Sequence, residues 1–301
     1  MISYAGWQGY TESSTEMLDP GPVAALAALF DDGLPAPAPG DPLPPLWHWV
    51  ALPRWSPSHI LDTDGHPRRG DFLPPIRLPR RMFAGGEVQL PGRLLVGQSL
   101  RREAEVIAVS EKQGRSGALV IVDVRIRLYH LDGDLAVEEV QHLVYREAAA
   151  GGDPSAEPPG AAAPHPGAPL YQINDDEWEL RTDASLLMRF SAATANAHRI
   201  HYDWPYATRV EGYPGVVVHG PLQTLALAEI HRLTGGAAVG ALSHRGHAPL
   251  FCGEPARVRR TARDDGLQIE LFGGRAQSAG PHATLRLATV PTGLPDRRPG
   301  G

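Results

Sequence analysis

One cysteine, Cys252, stands alone among 301 residues. It cannot form an internal disulfide, which fits a reducing compartment. It sits in the apolar run Pro249-Leu250-Phe251-Cys252, the setting of a small buried side chain rather than of an activated thiolate. A surplus of cations is also missing. Lys and Arg number 28 against 34 Asp and Glu, for a formal net charge of -6. Nucleic acid and anionic membranes reward clustered cations, so neither is expected as a partner. The longest apolar stretch near the N-terminus, Pro22 to Phe30, is far shorter than the roughly 20 residues that span a bilayer. The first basic residue is Arg54, so no charged leader segment is visible and a cytoplasmic location is expected. The Gly-x-Ser-x-Gly elbow and the Gly-Lys-Ser/Thr phosphate loop are absent as well, which leaves serine-hydrolase and nucleotide-hydrolase chemistry unsupported.

Proline (30) and glycine (33) are plentiful, and they concentrate into one boundary. Residues 148–169 contain no large apolar side chain. Such a segment buries too little surface to offset its ordering entropy, so it reads as a flexible linker. It divides the chain into an N-terminal unit, 1–147, and a C-terminal unit, 170–301. Asp19-Pro20 starts a helix with Val23, Leu26, Ala27 and Phe30 on one face. Residues 35–84, rich in Pro and Trp, read as a loop laid over a surface. Strands are expected over 98–111, 118–131 and 135–146, with Asp132-Gly133-Asp134 as the hairpin between the last two. In the second unit Pro221 to Leu233 reads as a helix apolar on most sides, and so buried. Gly235-Gly236 ends it. Strands are expected over 253–261, 266–272 and 283–290. Both units therefore read as one helix followed by an antiparallel meander, in the α+β class.

Residues 190–222 carry the densest chemistry. Asn196, His198, Arg199, His201 and Asp203 fall within eight positions. Ser185 to Ser191 reads as a strand and Asp203-Trp204-Pro205 as a helix start, so these polar groups sit on a connection, where site residues are commonly held. Histidine suits moving a proton to and from carbon or water. Further on, His219-Gly220-Pro221 opens the long buried helix. Its first amides lack partners within the helix and its dipole end is positive. A thioester carbonyl placed there is polarised, which stabilises an enolate. Gly220 lets a ligand approach the backbone closely.

The segments Phe190-Ser191-Ala192 through His201-Tyr202-Asp203 and Glu211-Gly212-Tyr213-Pro214-Gly215 through His219-Gly220-Pro221 resemble the hydration motif of MaoC-like enzymes. They are more similar still to type 2 hydroxyacyl-thioester dehydratases and mesaconyl-CoA hydratase-like proteins. Leu46-Trp47-His48-Trp49, Asp64-Gly65-His66, Phe72-Leu73-Pro74-Pro75 and Pro79 through Gly86 match phrases of the same group. The resemblance implies a double hot-dog fold, each half a long helix wrapped by a curved antiparallel sheet. The first half would be a degenerate hot-dog that shapes the pocket, and the second would carry the catalytic loop. It implies reversible addition of water to an α,β-unsaturated acyl thioester, with mesaconyl- and itaconyl-type acyl groups as the candidates. No metal or redox cofactor is implied; coenzyme A or acyl carrier protein enters only as part of the substrate. His201 matches the motif histidine. The motif aspartate falls at Asn196, which can hold a water but cannot take its proton. The expected roles are thus proton transfer by His201, water positioning by Asn196 and carbonyl binding at Gly220. Arg199 suits a substrate carboxylate, coenzyme A phosphates or a plain ion pair, and His198 supports the substrate site.

Competing readings remain beside this one. Asn196 motivates a non-catalytic acyl-thioester binding subunit, and a hot-dog thioesterase would need a carboxylate over the carbonyl carbon. Asp203 is a good helix cap, and His219 suits a loop hydrogen bond. Arg80 and Arg81 face either a phosphate or carboxylates of the other half. Trp47 and Trp49 fit core or interface positions. His198-x-x-His201-x-Asp203 and His244-x-x-His247 are metal-compatible in type but lack the spacing of the hydrolytic zinc motif, so no metal site is expected. Two hot-dogs in one chain allow a monomer or a homodimer.

Overall fold

A computed structural model describes Tyr4, Trp7 and residues 9–114, 117–148, 167–274 and 280–289. Most of the expected linker, 149–166, lies outside these residues, as does Val290 at the end of the last expected strand.

The first helix, α1 (Pro20–Phe30), begins where Asp19 Oδ1 accepts the Gly21 amide at 2.8 Å. Its apolar face, Val23, Leu26, Leu29 and Phe30, is buried. Preceding it is β1 (Tyr10–Met17). Residues 35–84 do more than cover a surface. Leu46, Trp47, Val50 and Ala51 are core residues, and His48–Ala51 form a short helix, α2. Trp47 is thus the core aromatic expected. The segment's end, Arg80–Ala84, already belongs to strand β2 (Arg80–Gln89). The expected strands of this half are β3 (Ser99–Gly114), β4 (Gly117–His130) and β5 (Leu135–Arg146), paired as an antiparallel meander.

The strand expected over 185–191 is instead a helix, α3 (Ala184–Ala193), and that expectation is corrected. Asp183 Oδ1 accepts the Leu186 amide at 2.7 Å, and Leu186, Leu187 and Phe190 are buried at helical spacing. Before it come the short strands β6 (Leu170–Gln172) and β7 (Glu177–Leu180). The long helix α4 (Gly220–Leu233) has every residue from Leu222 to His231 buried. Leu222, Leu225, Leu227 and Ile230 are fully inaccessible, each stabilising the core by roughly 1.5–3 kcal/mol. Strands β8 (Val239–Gly246), β9 (Ala256–Arg263), β10 (Gly266–Gly273) and β11 (Ala283–Thr289) complete this half, close to the expected limits except for β8, which was not anticipated.

All eleven strands join one antiparallel sheet in the order β1-β3-β4-β5-β2-β8-β11-β10-β9-β7-β6. The two halves meet at β2 and β8. Here Gly85 and Gly86 are required by contact on both sides. A Cβ on Gly85, whose φ is +144°, would lie 2.3 Å from the His244 oxygen; one on Gly86 would lie 2.2 Å from the Val140 oxygen. Among the described residues no helix is long and apolar enough to cross a membrane.

Candidate active site

A cavity of about 660 Å3 opens between the halves. Trp49, Phe83, Ile126, Leu128 and Phe190 give it an apolar wall, while Asn196, His66, Arg81 and Gln141 supply polar groups. Pro221, the second residue of α4, is part of the wall. His201, His198 and Gly220 are not on the cavity surface; they lie beside Asn196 and Pro221 along the chain.

Asn196 follows the turn that ends α3. Ala195 there adopts φ 52°, a left-handed conformation unusual for a side-chain-bearing residue. Asn196 Oδ1 accepts the His198 amide at 3.0 Å and fixes the next turn. Its amide nitrogen is left for an oxygen in the cavity. Arg199–His201 form one 3-10 turn, which buries the His201 ring. His201 Nδ1 lies 2.7 Å from the Val217 oxygen. A carbonyl only accepts, so Nδ1 carries the proton and Nε2 is a free base. Burial disfavours the imidazolium and lowers the His201 pKa to about 4, against the opposing Val217 hydrogen bond.

His201 belongs to a row of four imidazoles. His66 and His198 have centroids 4.2 Å apart, His198 and His201 5.5 Å, and His201 stacks on His219 at 3.6 Å. His219 is the loop support expected: its Nε2 meets Ser191 Oγ at 2.8 Å, while its buried Nδ1 has no partner. Burial first, then His201 and His198, push His219 well below the usual imidazole range. Burial and the flanking rings likewise lower His198. Among the described residues, the row's one contacting carboxylate is Asp64, whose Oδ2 lies 3.0 Å from His66 Nδ1 while Oδ1 accepts the His66 amide at 2.8 Å. Burial by itself raises a carboxyl, but these bonds to His66 outweigh it and hold Asp64 at about 2. His66 itself sits at about 4, lowered by burial and by Arg81 against the pull of Asp64.

The Asp64–His66 pair was missed as a site feature. Its phrase was visible in the sequence, but nothing in residues 62–66 says that they pack on the loop that carries Asn196 and His201. They do: Gly65 has φ +91°, and a Cβ there would lie 1.9 Å from the Ala197 oxygen. The Arg199 amide also donates to the Asp64 oxygen at 2.9 Å.

Arg199 is not brought to the cavity wall. Its guanidinium holds Asp203 Oδ2 at 2.8 and 2.9 Å, donates to the Thr63 oxygen at 3.0 Å and covers the Tyr206 ring. Asp203 caps the following turn as expected, accepting the Tyr206 amide at 3.1 Å. Arg80 pairs with Glu211 of the other half at 2.7 Å. Trp49 donates to the buried Glu139 at 2.9 Å and lines the cavity.

The two sequence spacings that suggested a metal do not converge. Asp203 is taken by Arg199, His244 stacks on Phe83, and His247 meets Thr284 Oγ1 at 3.1 Å. Asp64, His66 and His198 do offer ligand atoms within 4.8 Å of one another. Arg69, 4.0 Å from Asp64, and Arg81, acting on His66, place positive charge beside them, which opposes a cation. Cys252 is the inert thiol expected: burial raises its pKa to about 11.

The start of α4 differs from the other long helices. Asp caps both α1 and α3, whereas no side chain caps α4 at His219. Its free amides and positive dipole end begin beside the cavity, next to Pro221.

The family model for hydroxyacyl-thioester dehydratase type 2 matches residues 46–252. The mesaconyl-C(4)-CoA hydratase of Chloroflexus aurantiacus is 42% identical over 295 residues, covering 96% of this chain and 98% of that protein. The crystal structure of HtdX from Mycobacterium tuberculosis superposes with a TM-score of 0.61 at 19% identity, over 93% of this chain and 100% of that one. A second Mycobacterium tuberculosis protein, described as having a double hot-dog fold, gives a TM-score of 0.53 at 16% identity, over 93% and 95% of the two chains.

Proposed function

The chain belongs to the hydroxyacyl-thioester dehydratase type 2 family and is an acyl-thioester hydro-lyase, and from that premise we propose how its cavity performs the reaction. Water adds reversibly across the α,β double bond of an acyl-CoA. The thioester carbonyl sits at the uncapped start of α4, where Gly220 leaves room and the free amides meet the charge that develops on oxygen. Asn196 holds the water through its free amide nitrogen. His201 Nε2 takes the water proton as oxygen bonds to Cβ. The π electrons move towards the carbonyl as an enolate, and the same proton is returned to Cα. Dehydration is the reverse.

The contrast in capping carries this reading. A long buried helix that starts uncapped beside a cavity is an arrangement for receiving an oxygen atom. The sheet order, five strands of the first half followed by six of the second, supports a double hot-dog whose halves are 1–147 and 170–301 joined by the 148–169 linker. The first half supplies much of the pocket wall, including His48, Trp49 and Glu139, and the second supplies the catalytic loop. Coenzyme A or acyl carrier protein is part of the substrate and no further cofactor enters. A mesaconyl thioester, the substrate in the Chloroflexus relative's name, is the first acyl group to try.

The test is to incubate the protein with crotonyl-, mesaconyl- and itaconyl-CoA while following enoyl absorbance and free thiol. Loss of absorbance without thiol supports a hydratase. Thiol release would overturn it in favour of a thioesterase, and neither change would leave a binding subunit.

A further inference from the structure

Arg80 and Arg81 are neighbours on β2, and their surroundings differ sharply. Arg80 is engaged by Glu211 and covers the Tyr213 ring. Arg81 points to the opposite face, as alternate residues of a strand must. It lines the cavity, and among the described residues no hydrogen bond or ion pair engages it. A half-buried guanidinium without an anion is costly. Nearby carboxylates are committed elsewhere, Asp64 to His66 and Glu211 to Arg80.

Of the other cations lining the cavity, Arg54 lies within 4.0 Å of Glu12 and Glu16. Burial and Arg54 lower the Arg102 pKa against the pull of Glu16, Glu12 and Glu139. Opposite Arg81 in the strand register is Tyr145, fully buried with a hydroxyl that has no partner; Arg81 is the strongest charge acting on it. Arg81 also acts electrostatically on His66 and His198, and it lines the same cavity as His66 and Asn196.

We propose that Arg81 receives the free carboxylate of a dicarboxylic acyl thioester and makes this enzyme selective for acyl groups that carry a carboxylate on Cβ. The inference rests on the hydratase reading. In a methylfumaryl-type acyl group, the second carboxylate is bonded to the carbon that water attacks. The cation that receives it must therefore share the cavity with the group that holds the water, as Arg81 does with Asn196. The fork of a guanidinium matches a carboxylate with two charge-assisted hydrogen bonds. Selectivity follows from the penalty for the wrong ligand. A methyl in place of the carboxylate leaves the guanidinium desolvated and unpaired.

The test compares mesaconyl-C4-CoA with 3-methylcrotonyl-CoA, in which a methyl replaces the carboxylate. Binding is read from the fluorescence of Trp49 and Trp55 at the cavity wall, and turnover from enoyl absorbance. Arg81→Met should lower kcat/KM and affinity for the dicarboxylic thioester about 100-fold. It should change both by less than about threefold for the methyl analogue. Arg81→Lys should recover part of the loss, and Arg102→Met should not reproduce the selective effect. Equal losses on both thioesters would assign Arg81 to a coenzyme A phosphate or to structure, and would overturn the proposal. So would a wild-type enzyme that does not prefer the carboxylate, or a selective loss in Arg102→Met. A wild-type protein that binds the dicarboxylic thioester through Arg81 without hydrating it would refute the hydratase reading alone.

Discussion

His201 presents a bare Nε2 because its Nδ1 is held 2.7 Å from the carbonyl oxygen of Val217. The backbone thus selects the tautomer that a base requires, and among the described residues no carboxylate pairs with the ring. Replacing His201 with Ala should lower kcat by about 100-fold or more, with a smaller change in KM. Steady-state hydration followed by enoyl absorbance is the measurement, and full activity in His201→Ala would remove this residue from the mechanism. The pKa near 4 sets the pH dependence. A base works when unprotonated, so the His201 contribution to kcat/KM should stay flat through neutrality and decline only as pH falls towards about 4.

Asn196 holds its turn through Oδ1 and offers its amide to the cavity. Asn196→Asp keeps the bond to the His198 amide but loses the donor. Asn196→Ala loses both. Both variants should lose about 10- to 100-fold in kcat if the amide orients water. A structural role alone predicts that Asn196→Asp keeps wild-type activity, and measured kcat values separate the two.

Gly220 and Gly65 should respond oppositely to a methyl group. A Cβ on Gly220 would meet Phe83 at an ordinary 3.6 Å, so Gly220→Ala should keep its thermal midpoint while kcat/KM falls about tenfold through crowding of the thioester. Gly65→Ala collides with Ala197 backbone and forces φ +91° on alanine. A destabilisation of about 2 kcal/mol or more is expected by denaturant titration. Coincident losses of stability in both variants would count against an open approach at Gly220.

His66, His198, His201, His219 and His244 all have folded pKa values below the ordinary 6.5. Between those values and 6.5 the unfolded chain binds more protons, so folding stability falls as pH drops below about 6.5. Asp64 adds to this at lower pH, its contribution being present above about 4 and lost as pH falls through about 2. Thermal midpoints should therefore decline continuously from pH 6.5 to 4. A flat profile across that window would mean that these rings are protonated in the folded state.

Much of the candidate site's main segment was legible in the sequence. Asn196, His201 and Gly220 stand in a recognisable order, and Asp203 and His219 take the structural roles their residue types favour. Arg199 shows the limit. Its type suits an anion, yet Asp203 four residues on satisfies it locally. Arg81 carries the same chemistry but differs by having no such neighbour. That difference depends on which face of β2 meets the cavity.

The strand assigned to 185–191 failed because a short apolar run reads either way until its partners are known. Gly85 and Gly86 let β2 pass between β5 and β8 where the halves join.

Local rules were enough for the elements whose signals are local. Asp19 caps α1, alternation marks β4, and the unbroken apolar surface of α4 implies burial. They also placed His201 and the helix start at Gly220 in one segment. Tertiary structure alone decided what faces them. His66 and Arg81 come from over a hundred residues away, and only the antiparallel closure of β2 on β8 and the packing of Gly65 on Ala197 bring them to the cavity that Asn196 lines. Such contacts depend on two distant backbones meeting, and a reading confined to neighbours along the chain carries no term for them.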